Sequence, residues 1–430
     1  MLIPSRFSPI TIVLLLTSII STFSASADPE VVSKATRGSI LDRNDKPLAH
    51  NHEGKRRYPL GKSAAHLTGY IHSAAGKTGL ERSQEKALLI GKSVRLTIDA
   101  SLQKECYKIL AAQEHPGAIV VQDPHTGAVL ALASYPSFEP DHFTPAVSLE
   151  QWKKYSSDKQ KPLLNRALTA HTPGAITLPL AALAGEYAGL KNPEIHCKDF
   201  HMFGKIKIRD WKQGRDERLR IPEAIETSCG TYFMQLAARA DDKAMNAVGG
   251  LLRLNRINLK SLPSTASSWP GMPRDRPQQP TDLAMSAIGQ AHTRITPLDA
   301  TSMMSAIATG TWRQPYLVAG KKPLPSTSLL HKGKISGSSL RAIRAGLHLA
   351  VHGEKCTAGK ASVNGIKVAG LSSTAQTIIG GKRARNSWFT GYAPYEKPQF
   401  TVTVFLSGAA SGGTFAAPIA SEVFSELLKK

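Results

Sequence analysis

The chain has 430 residues, 41% hydrophobic and 20% charged, with a net charge of +22. That is enough apolar material for one large domain and a smaller companion, and it excludes a disordered or fibrous chain. The charge fits a solvated basic surface, or attraction to a polyanion or to anionic lipid headgroups.

Residues 1–27 read as a secretion signal: Arg6 supplies a positive start, Ile10 to Phe23 is apolar and uncharged, and Ala25-Ser26-Ala27 is an A-x-A cleavage site. The apolar run is short for a bilayer span, so cleavage is the expectation and an uncleaved N-terminal membrane anchor the alternative. Export to the periplasm or cell envelope leaves no role for nucleic acid. Nothing later in the chain is apolar for long enough to cross a membrane.

Asn44-Asp45 is a turn dipeptide between short extended runs and predicts a hairpin within Thr36 to Ala49. Glycine-rich punctuation down to Glu81 suggests a small irregular module without a core of its own. Val94 to Asp99 alternates like a strand, and Ser101 to Ala112 has helical spacing with a cap at Asp99 to Ser101. Gly117 to Ser134 forms two apolar runs around Asp123-Pro124-His125-Thr126-Gly127, a strong hairpin signal. Helices are expected in Trp152 to Leu190, Ile221 to Ala240, Leu283 to Gly310 and Ser336 to Val351. His196 to Arg220, basic and aromatic, reads as a loop excursion, and Leu262 to Pro280 as a Pro/Ser-rich loop. Val368 to Gln376, Ser387 to Pro394 and Phe400 to Leu406 read as strands, and Ala417 to Leu428 as the last helix. Strands at both ends with helices between them predict a sheet built from both ends of the domain and wrapped around a helical part.

Four cysteines, Cys106, Cys197, Cys229 and Cys356, are widely spaced and fit no C-x-x-C metal pattern. Their pairing stays open between disulfides of an exported chain and small buried hydrophobes. No cofactor or metal is expected. His125, His171, His292, His348 and His352 stand outside any H-E-x-x-H spacing, and G-x-S-x-G is absent.

The stretch Thr172-Pro173-Gly174-Ala175-Ile176-Thr177-Leu178-Pro179 runs from a turn into an alanine-rich apolar helix, Leu180 to Leu190. Serine acyl-transferases place S-x-x-K at such a junction, with serine as nucleophile and lysine one turn later as base. Here those positions are Ala175 and Leu178.

The ordered set of landmarks resembles the class B penicillin-binding proteins, the monofunctional D,D-transpeptidases that crosslink peptidoglycan, and among them the elongation-type branch. The set comprises R-G-S-I-L-D-R-N-D-K-P-L-A from Arg37, G-L-E at Gly79, L-T-I-D at Leu96, V-Q-D-P-H-T-G-A-V-L-A-L-A-S-Y-P-S-F from Val121 and L-L-N-R-A at Leu163. The T-P-G turn, T-S-C-G-T-Y-F, I-G-Q, V-A-G and W-F-T-G-Y-A-P then follow in family order. The resemblance implies an α/β (α+β) penicillin-binding transpeptidase fold, related to the serine β-lactamases, with an antiparallel sheet, an all-helical subdomain and a small N-terminal module. It divides the chain into residues 1–27, an N-terminal module 28–98 and a transpeptidase-like domain 99–430. Only His50 to Lys55 stand where the family inserts a sizeable module before R-Y-P-x-G.

The same resemblance locates three motifs around one cleft, all altered. Ala175 and Leu178 replace the first serine and lysine. The second motif keeps Ser228 but has Cys229 and then Gly230 in place of an amide or carboxylate. The third, K-T-G in the family, is Leu371, Ser372 and Ser373. Backbone N–H groups of Ala175 and Thr374 remain as possible oxyanion donors. Thr177 stands two positions from Ala175 and does not share its face; Ser83, Ser101 and Ser156, each with a lysine three residues on, lack the turn-helix setting, and Lys77-Thr78-Gly79 sits in the N-terminal module. The expectation is a catalytically inactive homologue acting as scaffold, regulator or wall binder. Its partners would be peptidoglycan or another anionic wall polymer, or envelope proteins, engaged in part by Lys198 to Arg220. The alternative is an active transpeptidase using displaced residues. Leu178 and Leu371 are expected to face each other and make the cleft dry and narrow.

Overall fold

The computed structural model describes residues 36–429 except 74–75, 273–274, 278, 321–325 and 331–333. The expected secretion signal, 1–27, lies outside the described residues, as does 28–35. Among the described residues no helix is long and apolar enough to cross a membrane.

Asp42 bends the chain at the predicted hairpin. Its Oδ1 accepts the backbone N–H groups of Asn44 and Lys46 at 2.7 and 2.8 Å, so β1 (Ile40–Leu41) pairs antiparallel with β2 (Pro47–His52). Glu53 and Gly54, at φ 50° and 71°, then form the two-residue turn of a tight hairpin to β3 (Lys55–Arg57). Strand β4 (Val94–Arg95) joins β1 in parallel. It is shorter than expected: Leu96 still donates its N–H to Leu41 O at 2.8 Å but lies past the end of the ladder, where it bridges to Val318.

Three sequence landmarks converge in this module. Glu81, from G-L-E, is fully buried and pairs with Arg37 at 2.6 Å and Arg56 at 2.7 Å. The carboxylate satisfies two guanidinium groups from segments far apart in sequence, the strongest class of polar contact available here. As expected the module has no separate core: Ile40, Leu48, Leu80, Leu88 and Val94 belong to the same apolar cluster as the large domain's helices.

Asp99 caps α1 (Ala100–Ala111), accepting from the N–H groups of Ser101 and Leu102. Strands β5 (Gly117–Gln122) and β6 (Val129–Tyr135) form the expected hairpin. Next come α2 (Leu149–Ser156) and, after a 3₁₀ turn at Gly174–Thr177, the buried α3 (Leu178–Tyr187). His196 to Arg220 is not a loop. It folds into β7 (Ile195–Lys198), β8 (Phe200–Phe203), β9 (Ile206–Arg209) and β10 (Asp216–Leu219), with β8 paired to β9 and β10 to β7.

The helical part continues with α4 (Ile221–Glu226), α5 (Gly230–Leu251), α6 (Pro280–Ala287), α7 (Pro297–Thr309) and α8 (Gly337–His352). Two expected helical segments are broken. Ile221 to Ala240 breaks at Thr227-Ser228-Cys229, and beyond its expected end α5 runs on to Leu251 with a kink at Asp241, whose φ is 69°; Leu283 to Gly310 breaks between Ala287 and Pro297. Strands β11 (Ala369–Ile379), β12 (Lys382–Ala393) and β13 (Phe400–Ser407), then α9 (Ala417–Leu428), complete the chain.

The main sheet has the order β11-β12-β13-β5-β6, so strands from both ends of the domain lie side by side as predicted. All its ladders are antiparallel. Strand β5 reads as a continuous apolar run because both faces are covered. Ala118 and Val120 face the cluster formed with the helical part, while Ile119 and Val121 face a second cluster that includes Ile109 of α1 and Phe424 of α9.

Candidate active-site cleft

The turn after Pro173 exists because two glycines meet. Gly174 has φ 60°, and a Cβ on Gly289 (φ 64°) would lie 2.2 Å from the Gly174 carbonyl oxygen. The Gly174 N–H donates to Gly289 O at 2.9 Å. Thr177, one turn later, has its hydroxyl buried and committed, at 3.1 Å to Gly174 O and 2.9 Å to Ala287 O. The turn presents Ala175 to a hollow of roughly 390 Å³ between the helical part and β11.

That hollow is lined by Ala175, Ser228, Thr357, Ser372, Ser373 and Thr374, with Trp211 and Lys355 at its rim. It therefore unites residues from all three degenerate motifs. Ser228 sits in the break between α4 and α5 with φ 46°, a backbone that a non-glycine residue adopts at a cost. Its hydroxyl meets Thr357 Oγ1 at 3.1 Å. Thr357 in turn donates to Glu226 O at 3.1 Å, and Ser372 donates to Thr357 O at 2.9 Å. Thr374 accepts the Gly412 N–H at 3.0 Å. Ser373 is buried with no partner for its hydroxyl, which points at Gly174: a Cβ there would come within 2.3 Å of Ser373 Oγ.

Among the described residues, no hydroxyl lining the cleft hydrogen-bonds to a lysine, histidine or carboxylate side chain. Lys355 is the one charged side chain in the lining, and its Nζ lies 3.4 Å from Glu217. Burial pushes the Glu217 carboxyl up, but hydrogen bonds from Lys212 and Lys355 outweigh it and hold the group below its ordinary range. Trp211 is 65% exposed, and its indole N–H donates to Ser228 O at 3.0 Å, which fixes the ring at the cleft mouth.

Leu178 and Leu371 do not face each other across the cleft. Both are buried in the apolar cluster beneath it, so the walls are hydroxyl-rich and the expectation of a dry, narrow slot is wrong. The first leucine begins α3 and turns inward; Leu371 alternates with Ser372 on the strand and takes the opposite face. Gly230 opens α5 with ordinary room beside it, its nearest neighbour for an added Cβ being Asp210 Oδ2 at 3.5 Å. The S-x-x-K strings and Lys77-Thr78-Gly79 line no part of the cleft; Lys77 is instead paired to Glu85 at 2.8 Å. His171 stacks on Phe405 with ring centroids 4.0 Å apart, and His348 stacks on Tyr395 at 4.6 Å. Sequence reasoning missed Trp211, Lys355 and Thr357. The aromatic and basic character of Lys198 to Arg220 was the available signal for the first; nothing local marked the other two.

Residues 117–425 match the model of the penicillin-binding protein transpeptidase domain, and residues 37–120 that of the penicillin-binding protein A dimerisation domain. The peptidoglycan D,D-transpeptidase MrdA of Haemophilus influenzae is 26% identical over 87% of this chain and 70% of its own. The peptidoglycan D,D-transpeptidase PbpA of Mycolicibacterium smegmatis is 26% identical over 87% of this chain and 84% of its own. Among solved structures, PBP2 of Pseudomonas aeruginosa in complex with WCK 5153 superposes with a TM-score of 0.84 at 28% identity, covering 92% of this chain and 97% of that one. PBP2 of Helicobacter pylori, solved in complex with MreC, has the same fold, with a TM-score of 0.81 at 22% identity over 92% of this chain and 98% of its own. With the family models spanning residues 37–425 and the fold shared with these structures, the chain belongs to the penicillin-binding protein transpeptidase family, class B.

Proposed function

We propose that this chain is a non-acylating penicillin-binding protein homologue of the cell envelope, serving peptidoglycan biogenesis as a scaffold, regulator or wall binder. One observation carries the reading: the nucleophile turn is built and closed, yet it presents the methyl group of Ala175, and no hydroxyl around it meets a base. Removal of nucleophile and base together leaves only binding and the oxyanion donors, here the backbone N–H groups of Ala175 and Thr374. The relatives named as D,D-transpeptidases make transpeptidation the family activity, and departure from it is what this chain's cleft supports.

A second feature supports attraction to an anionic wall polymer. Arg294, Arg383 and Arg385 line a hollow beside the outer end of β11 that has no carboxylate in its lining. The H. pylori complex with MreC favours an envelope protein as a further partner class. In this reading the chain is exported through residues 1–27, cleaved or anchored, residues 28–98 form the N-terminal module and 99–430 the binding domain. An active enzyme using displaced residues would draw its nucleophile from the hydroxyls that line the cleft, among them Ser228, Ser372 and Ser373.

The test is covalent labelling of the purified chain with a fluorescent penicillin, with an active class B transpeptidase as positive control. No labelling is expected. A labelled band, with the adduct mapped to Ser228 or any other serine, would overturn the proposal.

A further inference from the structure

Cys197 and Cys229 serve no role in the cleft, yet they meet behind it. Cys197 lies on β7 and Cys229 in the break that starts α5, and both are fully buried. Thr231 ties the two places together: its Oγ1 is 3.4 Å from Cys229 Sγ and donates to Lys198 O at 3.0 Å. Cys197 points inward from β7 between exposed His196 and Lys198, into the same apolar cluster that holds Cys229. The surroundings are anchored. Arg215 and Asp210, both buried, pair at 3.4 Å; Asp210 also accepts the Thr231 N–H at 3.1 Å, and Arg215 donates to Thr227 O at 3.2 Å. The other two cysteines are elsewhere, Cys106 buried on α1 in the second cluster and Cys356 exposed after α8.

We propose that Cys197 and Cys229 form a disulfide that staples the β7–β10 ribbons to the turn carrying Ser228. The thiolate is the attacking species. The oxidant is a disulfide, of a small molecule or of an exchange protein. The Cys229 thiolate attacks one of its sulfurs and expels a thiolate. The Cys197 thiolate then attacks the Cys229 sulfur of the mixed disulfide and expels the second. One S–S bond is formed and one broken, and the two electrons and two protons leave with the reagent as two thiols. Exchange occurs as the chain folds, before the ribbons seat on α5 and bury both sulfurs. The closed bond fixes Ser228 and, through the ribbons, Trp211. It therefore sets the cleft's shape independently of whether the cleft acylates.

The test is to fold the full mature chain with oxidised glutathione, unfold it in an alkylating reagent, and map the peptides by mass with and without reductant. A reductant-sensitive link between the Cys197 and Cys229 peptides is expected, with Cys106 and Cys356 alkylated. Adding reductant to the folded protein should lower its Tm by several degrees, and this shift should vanish in Cys197→Ala. Alkylation of both Cys197 and Cys229, or a link from either to Cys106 or Cys356, would overturn the proposal. The mapping uses the wild-type chain, so a poorly folding variant does not blunt it.

Discussion

Ser373 is the residue at which the altered third motif meets the altered first. Where the family has glycine, its hydroxyl is buried against Gly174 without a hydrogen bond. A buried hydroxyl without a partner carries its full desolvation cost, so removing it is favourable. Ser373→Ala should raise stability by about 1 kcal/mol, read as a higher denaturation midpoint at unchanged slope; a loss of stability would mean that the hydroxyl is bonded in solution. Ala175 and Ser228 line the cleft as their flanking residues suggested, whereas Gly230 does not. Leu178 and Leu371 were expected on the cleft walls and lie buried beneath them. A helix or strand position says which residues alternate, and only the packed partner decides which side is wet. Lys355 and Thr357 were illegible for a related reason: they reach the cleft from a loop that follows α8 and makes no motif.

At the scale of elements, polar partners decided what apolar periodicity left open. The ribbons between His196 and Arg220 were read as loop because their strands are short and half charged. Their pairing sets Asp216 opposite Lys198, an opposite-charge cross-strand pair, while Leu219 sits opposite Ile195 on a face buried in the main cluster. The break between α4 and α5 was hidden for the opposite reason, since Thr227-Ser228-Cys229 contains no glycine or proline. Arg215 compensates by donating to Thr227. The N-terminal module shows the same logic through Glu81. Changing Glu81→Gln leaves buried Arg56 without a carboxylate and Arg37 with Glu85 alone. The expected cost is about 3 kcal/mol, seen by denaturant titration and little relieved by salt because the site is not screened. A cost below about 1 kcal/mol would place this cluster among ordinary surface pairs.

Across the whole molecule, the sheet assembled from both ends of the domain was legible from the order of strands and helices alone. The folded state's response to acid was not, because it depends on tertiary burial. Burial lowers the His66 pKa to about 4 and the His171 pKa to about 3, and the Arg166 charge pushes both the same way. Above about pH 6.5 both rings are neutral whether the chain is folded or not, so they add no pH dependence there. Below it the unfolded chain takes up protons that the fold refuses. Stability falls until the folded values are passed. The combined loss is at most about 4 kcal/mol by about pH 5. Chemical denaturation at neutral pH and near pH 5 measures it, and His66→Gln with His171→Gln should flatten the difference; an unchanged slope would mean that other groups carry the acid sensitivity.

The hairpin turn at Glu53-Gly54 has a practical consequence. Its strands leave the turn as paired neighbours, about 5 Å apart in a sheet, so the chain enters and departs at almost one point. Such a point accepts a foreign domain whose own termini are adjacent, much as a socket accepts a plug, with little strain on β2 or β3. A fluorescent protein or an affinity module joined there would report where the molecule resides without touching the cleft, none of whose lining residues comes from β2 or β3.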